Sequence, residues 1–526
     1  MASRSCTADS AFPPRSRRDP SAPPAGLIFR NALALSHVGT HDPNTAGSPQ
    51  ADEYSRLPHM FQPSRRALLV AMAASAAVPA RPVAARSRPA EYLIRGATVL
   101  TMMPGTTALI DHDVHVRDHK IVAIGKAIAA PAAIRIDAPG AIVMPGLVDT
   151  HWHVWTTLLR NLADNSSDAS GYFAMTGLLG QRFGPAEMRL AARLAAADAI
   201  DHGITTVHDW CHNIRSPAHA RAALAGLQDS GLRARFSYGA TRETPFDRPL
   251  DAADFTRLHD GWDEWSADGR LTLGLGWRGV LATVDGRPSA VPEAVWRADL
   301  ALARDRGLPV SVHANNSAAN RGHIRQLAER RLLDRDVQLV HAVNAEADEI
   351  EAVARSGASV SLAPSSEFAA GFGVPPVSAL RQAGVAIGAS VDTPALVGPA
   401  DLLRELRMIQ GLANAQAGDE MAMPPLDALA IGTREGATSL GLGGSTGTLA
   451  PGKRADLIVI RRDALSLQPR ADPATTILRS VRPSDIALVM VDGTILKRDG
   501  QLTRIDRSAL ASAVAETSAR LLRDGR

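Results

Sequence analysis

At 526 residues, 45% hydrophobic and 21% charged, the chain can bury a large core and is too long for one small domain, which excludes a short or wholly disordered protein. Its net charge of +3 is unevenly placed: residues 1–90 hold eleven arginines against five acidic side chains, so the remainder is mildly acidic and gives no reason to expect nucleic acid or an acidic membrane as partner. The two cysteines, Cys6 and Cys211, exclude a disulfide within the folded part and a thiolate metal site, and the His-x-Glu and Pro-Cys-x-x-Cys of the zinc deaminases that act on flipped bases are both missing.

Residues 1–59 are rich in Pro, Ser, Ala and Arg without hydrophobic periodicity and read as disorder, or as text upstream of the true start. From Met60 the character changes. Ser64-Arg65-Arg66-Ala67-Leu68 leads into an apolar stretch from Ala67 to Val78, and small residues around Val78-Pro79-Ala80 or Val83-Ala84-Ala85 offer a cleavage site. Within a leader of residues 1–90, residues 60–85 therefore read as a twin-arginine export signal. That layout predicts a periplasmic or secreted protein, or a cytoplasmic one if the leader is not processed. The apolar run is well short of the ~20 residues a membrane span needs, and no other segment is long and apolar enough.

Residues 91–145 form short alternating apolar runs separated by Gly turns, and the same texture returns over residues 446–505. Between them lie eight strand-like runs, each followed by a helical stretch rich in Ala, Leu and Arg. They end near His153, Asp209, Thr241, Arg278, His313, His341, Pro364 and Asp392. Eight parallel strands with intervening helices predict an α/β fold, a (β/α)8 TIM-type barrel over residues 146–445, with active-site residues at the C-terminal strand ends. Residues 506–526 close the chain as a helix.

The most informative segment is Pro145–His153, PGLVDTHWH, an apolar run leading through Pro-Gly into His151 and His153. On a strand, the i, i+2 spacing puts both imidazoles on one face, where one ion can take both. A lone pair of this kind in a chain with sixteen histidines is weak evidence, and two polar residues ending a strand is the bland alternative. The runs PVSVH to His313, VQLVH to His341 and VAIGASVD to Asp392 also end in metal-competent side chains, so that four strand ends point to one site at the barrel mouth.

Together with TLLRNLADN (157–165), GITTVHD (203–209) and GTLAPGKRADLIVI (447–460), these motifs resemble the amidohydrolase superfamily, in its cytosine-deaminase-like and s-triazine-hydrolase-like branch. The resemblance covers roughly Glu91 to Leu502. It implies that 91–145 and 446–505 pair into one small composite β-sandwich in which the barrel is inserted. It also implies His151, His153, His313 and Asp392 as metal ligands, with His341 beside the attacking water. Related enzymes with two metals bridge them through a carboxylated lysine, and this chain has no lysine between Lys126 and Lys453. One divalent ion is expected, Zn²⁺ or else Fe²⁺, which lowers the pKa of water towards ~7. Asp392 is then suited to ligate and to accept the water's proton, and His341 to hold the water or the developing oxyanion, unless His341 is simply a satisfied core histidine.

Trp152, Trp155, Trp210 and Trp277 fall at or just past strand ends, where they either wall a pocket for a planar ring or pack the rim. Arg278 and Glu367, at the same level, either contact substrate or pair with each other. His208 and His212 match no ligand of the family and are expected to serve packing or hydrogen bonding. The chain departs from the family three residues after His313, where HANN puts Asn316 in place of the Glu that shuttles a proton to a ring nitrogen. An amide donates and accepts hydrogen bonds but delivers no proton at neutral pH. After strand six, His341-Ala342-Val343-Asn344 also replaces His-Cys-Val-His. Either Glu367 takes over the shuttle, or the substrate needs no ring protonation. The expected function is hydrolysis of a non-peptide carbon–nitrogen bond in a small, planar or heterocyclic substrate, by an aminohydrolase or a cyclic or aryl amidase. The alternative is a metal-bearing binding protein with little turnover. A homodimer is the default assembly.

Overall fold

The computed structural model describes residues 91–284 and 287–523; the expected leader and export signal lie outside the described residues. The barrel strands are β1 (Leu147–Trp152), β2 (Ile204–Cys211), β3 (Arg233–Gly239), β4 (Leu271–Trp277), β5 (Val310–Ala314), β6 (Val337–His341), β7 (Ser359–Leu362) and β8 (Ala386–Ala389). Each pairs in parallel with its sequence neighbours. Closure comes from a parallel bridge between Trp152 and Asp392, with the His153 amide donating to the Asp392 carbonyl at 2.7 Å and the Asp392 amide to the His151 carbonyl at 3.1 Å. The seam that closes the barrel therefore runs through three of the expected metal ligands.

The strands are short, apolar and buried along nearly their whole length, as parallel strands covered by helices on one side and filled by side chains on the other must be. Small residues let the interior close: a Cβ on Gly388 of β8 would come within 2.5 Å of Thr150 Cγ2 on β1. The alanine-rich helices serve the same end outside the barrel. Pro185–Asp201 starts with Pro at its first turn and Glu187 returning to the Gly184 amide at 2.8 Å, and its buried face is Ala191, Ala192, Ala195, Ala196, Ala199 and Ile200. Gly226 of the next helix sits so close that a Cβ there would meet Ala192 at 2.7 Å.

Residues before and after the barrel form one nine-stranded sheet, joined where Ile142–Pro145 runs antiparallel to Leu457–Ile460. It has its own core, including Ile94, Val114, Val143, Leu457, Val459 and Met490. Arg233, at the start of β3, fastens this sheet to the barrel's far face through the carboxylates of Asp456 at 2.5 Å and Asp492 at 2.7 Å, all three side chains being buried. Burial opposes the guanidinium's charge, but the two carboxylates outweigh it and push its pKa up, so the charge is compensated where it lies. A final helix spans Arg507–Arg523, and among the described residues no helix is long and apolar enough to cross a membrane.

Candidate metal centre and active site

His151 lies inside an irregularity of the β1–β2 pairing between Asp149 and Trp152, and His153 just past the strand end. The two Nε2 atoms are 3.3 Å apart. From the opposite side of the seam, Asp392 Oδ1 lies 3.2 Å from His151 Nε2 and 3.4 Å from His153 Nε2. His313, at the end of β5, stacks on His153 with ring centroids 5.2 Å apart, and the ligand atoms of the three histidines lie within 4.8 Å of one another.

These donors fit a divalent ion. In a tetrahedral site with bonds of about 2.0–2.1 Å, neighbouring ligand atoms sit about 3.3–3.4 Å apart, close to the separations among His151, His153 and Asp392, while His313 lies within 4.8 Å of the other two histidines. Asp392 Oδ1 is buried and has no hydrogen-bond partner, an unsatisfied acceptor that a cation would satisfy. Burial, followed for His151 and His313 by the neighbouring imidazoles, holds all three histidines below their ordinary pKa, so each keeps a lone pair for a metal.

Outer partners fix the orientations. His153 Nδ1 donates to the Trp210 carbonyl at 3.0 Å, which leaves Nε2 as the ligand atom. Ser366 donates to Asp392 Oδ2 and turns Oδ1 toward the imidazoles. Asp149 accepts the amides of His151 at 3.1 Å and Val391 at 2.9 Å, tying β1 to the segment after β8. Asp392 and His341 both have left-handed backbone, φ 56° and 75°, an uncommon conformation for residues with a side chain and one held here by the surrounding strands.

His341 ends β6 with its ring 5.4 Å from that of His313. Its Nδ1 lies 3.3 Å from Glu367 Oε1, and that oxygen also accepts the Ala363 amide at 2.9 Å. Burial opposes protonation of His341, but the Glu367 bond and the Asp392 charge outweigh it and raise its pKa; burial likewise pushes Glu367 up against the pull of His341. His208 donates from one nitrogen to the Thr150 carbonyl at 2.8 Å and meets Ser237 Oγ at 2.8 Å with the other, a structural histidine whose pKa burial lowers to about 3.

The "Amidohydrolase family" matches residues 142–496. The chain belongs to the amidohydrolase family. A 5-methylthioadenosine/S-adenosylhomocysteine deaminase of Symbiobacterium thermophilum is 31% identical over 455 residues, 82% of this chain and 99% of its own length. The enzyme of that name from Halobacterium salinarum is 30% identical over 431 residues, 78% of this chain and 93% of its own. Among solved structures, an adenosine deaminase from Xanthomonas campestris with bound zinc matches with a TM-score of 0.74 at 26% identity, covering 83% of this chain and 99% of that one. Atrazine chlorohydrolase from Arthrobacter aurescens TC1 complexed with zinc matches with a TM-score of 0.71 at 24% identity, 81% and 99% covered, a likeness of fold. This amidohydrolase is a metal-dependent hydrolase of carbon–nitrogen bonds.

Above the amidohydrolase's ligands opens a cavity of about 730 Å³, walled by Tyr172, Trp210, His212, Arg242, Asn316 and Phe372 among others. Of the expected substrate contacts and pocket-walling tryptophans, Asn316 and Trp210 lie on this wall. Asn316 Oδ1 is taken by an Nδ2–H of Asn320, which leaves its own NH2 to donate. Trp152 is fully buried, because it alternates with His151 and His153 and so points away from the ligand face, its indole donating to Thr157 at 3.1 Å. Trp155 packs on Phe183 and donates to His212 Nδ1 at 3.3 Å, behind the wall. Trp277 is buried against Trp296. Arg278 turns outward to Asp299 at 2.9 Å and to the carbonyls of Pro245 and Arg248, so neither a substrate contact nor a pair with Glu367 is formed. Glu367 sits fully buried behind His341 rather than at the rim.

Sequence reasoning missed Ser366, Tyr172, Phe372 and Arg242, and gave His212 packing or hydrogen bonding, whereas its ring is also 4.3 Å from that of His153 and on the cavity wall. Asp149 was legible as the acidic residue two before His151. The others come from loops and short helices past the strand ends, with no periodic signal.

Proposed function

We propose that this amidohydrolase is a mononuclear, zinc-dependent aminohydrolase that releases ammonia from a planar nitrogen heterocycle, a purine nucleoside being the class its deaminase relatives favour. The observation that carries the reading is that the ligand atoms of His151, His153 and His313 lie within 4.8 Å of one another with Asp392 Oδ1 beside the first two, in a barrel without a lysine. A bound divalent cation supplies Lewis acidity and makes water a nucleophile near neutral pH. Asp392 Oδ1 accepts the water's proton while Ser366 holds Oδ2 still. His341, braced by Glu367, directs a donor at the oxygen as it adds to the ring carbon. Trp210 and Phe372 face the ring, and Asn316 donates to its edge.

Export through the twin-arginine route is part of the same proposal, carried by Ser64–Leu68 and the apolar stretch after it.

The test is a panel of adenosine, 5′-methylthioadenosine, S-adenosylhomocysteine, cytosine, guanine and a set of cyclic and aryl amides, assayed for ammonia or acid release. Ammonia from at least one purine, lost on chelation and restored by Zn²⁺, is the expected result. Binding of a ring amine with no release from any compound would favour a metal-bearing binding protein instead.

A further inference from the structure

With Asn316 in the place of a carboxyl, the one acid among the residues lining this cavity is Asp392, which belongs to the proposed metal set, yet the wall carries a hydroxyl that set does not use. Tyr172 opens the helix Tyr172–Gly180, in the segment after β1, and lines the same cavity as His153, His313, His341 and Asp392. Three contacts fix its backbone. Its amide donates to Asn165 Oδ1 at 3.1 Å, and its carbonyl accepts from the Thr176 hydroxyl at 2.7 Å. Arg242, just past β3, donates to the Phe173 carbonyl at 2.8 Å and to the Thr176 hydroxyl at 3.3 Å, stapling the helix across the mouth. The side chain packs edge-on to Phe173, centroids 5.1 Å apart.

The phenol itself lies beside the Thr393 hydroxyl, one residue past Asp392. Burial, then the Asp392 charge, drives its pKa upward, against the smaller pulls of Thr393 and Arg242. A phenol keeps its proton near neutral pH in any case, so the hydroxyl on this wall is available as a donor.

We infer that Tyr172 donates a hydrogen bond to the substrate's ring nitrogen beside the attacked carbon, stabilising the charge that builds there in place of a proton-delivering carboxyl. The inference rests on the aminohydrolase reading. The chemistry balances without ionising the phenol: the water oxygen forms a bond to the ring carbon, the carbon–amine bond breaks, the amine receives the proton first taken by Asp392 and leaves as ammonia, and Tyr172 ends as it began.

The test compares wild type with Tyr172→Phe in the full, zinc-loaded chain, using 5′-methylthioadenosine for turnover and purine ribonucleoside, which has the ring nitrogens and no exocyclic amine, for binding by tryptophan fluorescence. Metal content and Tm should match wild type. The variant should lose about 10- to 100-fold in kcat with KM within about threefold, and bind purine ribonucleoside roughly three- to tenfold more weakly. A folded, zinc-replete variant with unchanged kcat and unchanged binding overturns the inference while leaving the aminohydrolase reading intact. A wild type that binds the ribonucleoside more tightly than the variant but releases no ammonia refutes that reading and keeps the Tyr172 contact. A wild type that neither binds nor turns over these purines refutes both.

Discussion

His313→Ala should empty the centre of metal and abolish hydrolysis. Of the four proposed ligands His313 is the one from across the barrel; His151, His153 and Asp392 all belong to the seam where β1 meets the segment after β8. Without it, three donors on one side remain, and the stack on His153 and the edge contact with Trp210 are lost as well. Affinity for a divalent ion depends on ligand count and on their convergence, so the purified variant should hold little metal after dialysis and show turnover lower by at least about 10³-fold. Its thermal stability should lie below that of the chelated wild type, since both lack the ion's contribution and the variant also loses the buried ring's packing. A variant that kept full metal and full activity would mean that His313 is a core histidine and that the ion sits elsewhere.

Asp392→Asn should cost several orders of magnitude in rate, because one substitution removes a ligand and the proton acceptor together. The carboxylate is held from both sides, Oδ2 by Ser366 and Oδ1 facing the two imidazoles, on a backbone in the left-handed region. An amide there turns an N–H toward either the imidazole lone pairs or the Ser366 oxygen. Asn316→Ala, by contrast, should cost about one lost hydrogen bond, ~1 kcal/mol or about fivefold, since Asn316 offers only an NH2 whose partner oxygen is already engaged by Asn320. If Asn316→Ala proved as damaging as Asp392→Asn with metal content intact, Asn316 would be a primary substrate-orienting group and the division of roles would be wrong. Asn316→Glu returns a titratable group to that position and should raise turnover of ring amines that need protonation.

The convergence of His151, His153, His313 and Asp392 was legible because they lie at or just past strand ends and each is spelled in a short apolar run that closes on a His or an Asp. Strand period and barrel topology carry such residues to one mouth with no further information, as His313 and Asp392 show. The pocket wall was not legible. It comes from segments such as 172–176 and 366–372, whose course depends on contacts like the Arg242 staple and the Asn344 bond to the Phe372 carbonyl. The tryptophan error was avoidable. Trp152 lies between His151 and His153, and the same alternation that puts the histidines on one face puts the indole on the other. Trp210 shares its parity with His208 and does reach the cavity. Arg278 sits at the expected level, but Asp299 on the neighbouring helix lies 2.9 Å away and captures it, a tertiary contact with no local signature.

The central claim is that one ion is held by two histidines of β1, one of β5 and the aspartate after β8, in a barrel without a bridging lysine. Elemental analysis of the purified full chain, loaded with Zn²⁺ and dialysed, tests it most directly. One metal per chain, falling to near zero in His313→Ala, is the predicted result; two tightly held metals per chain would contradict the account.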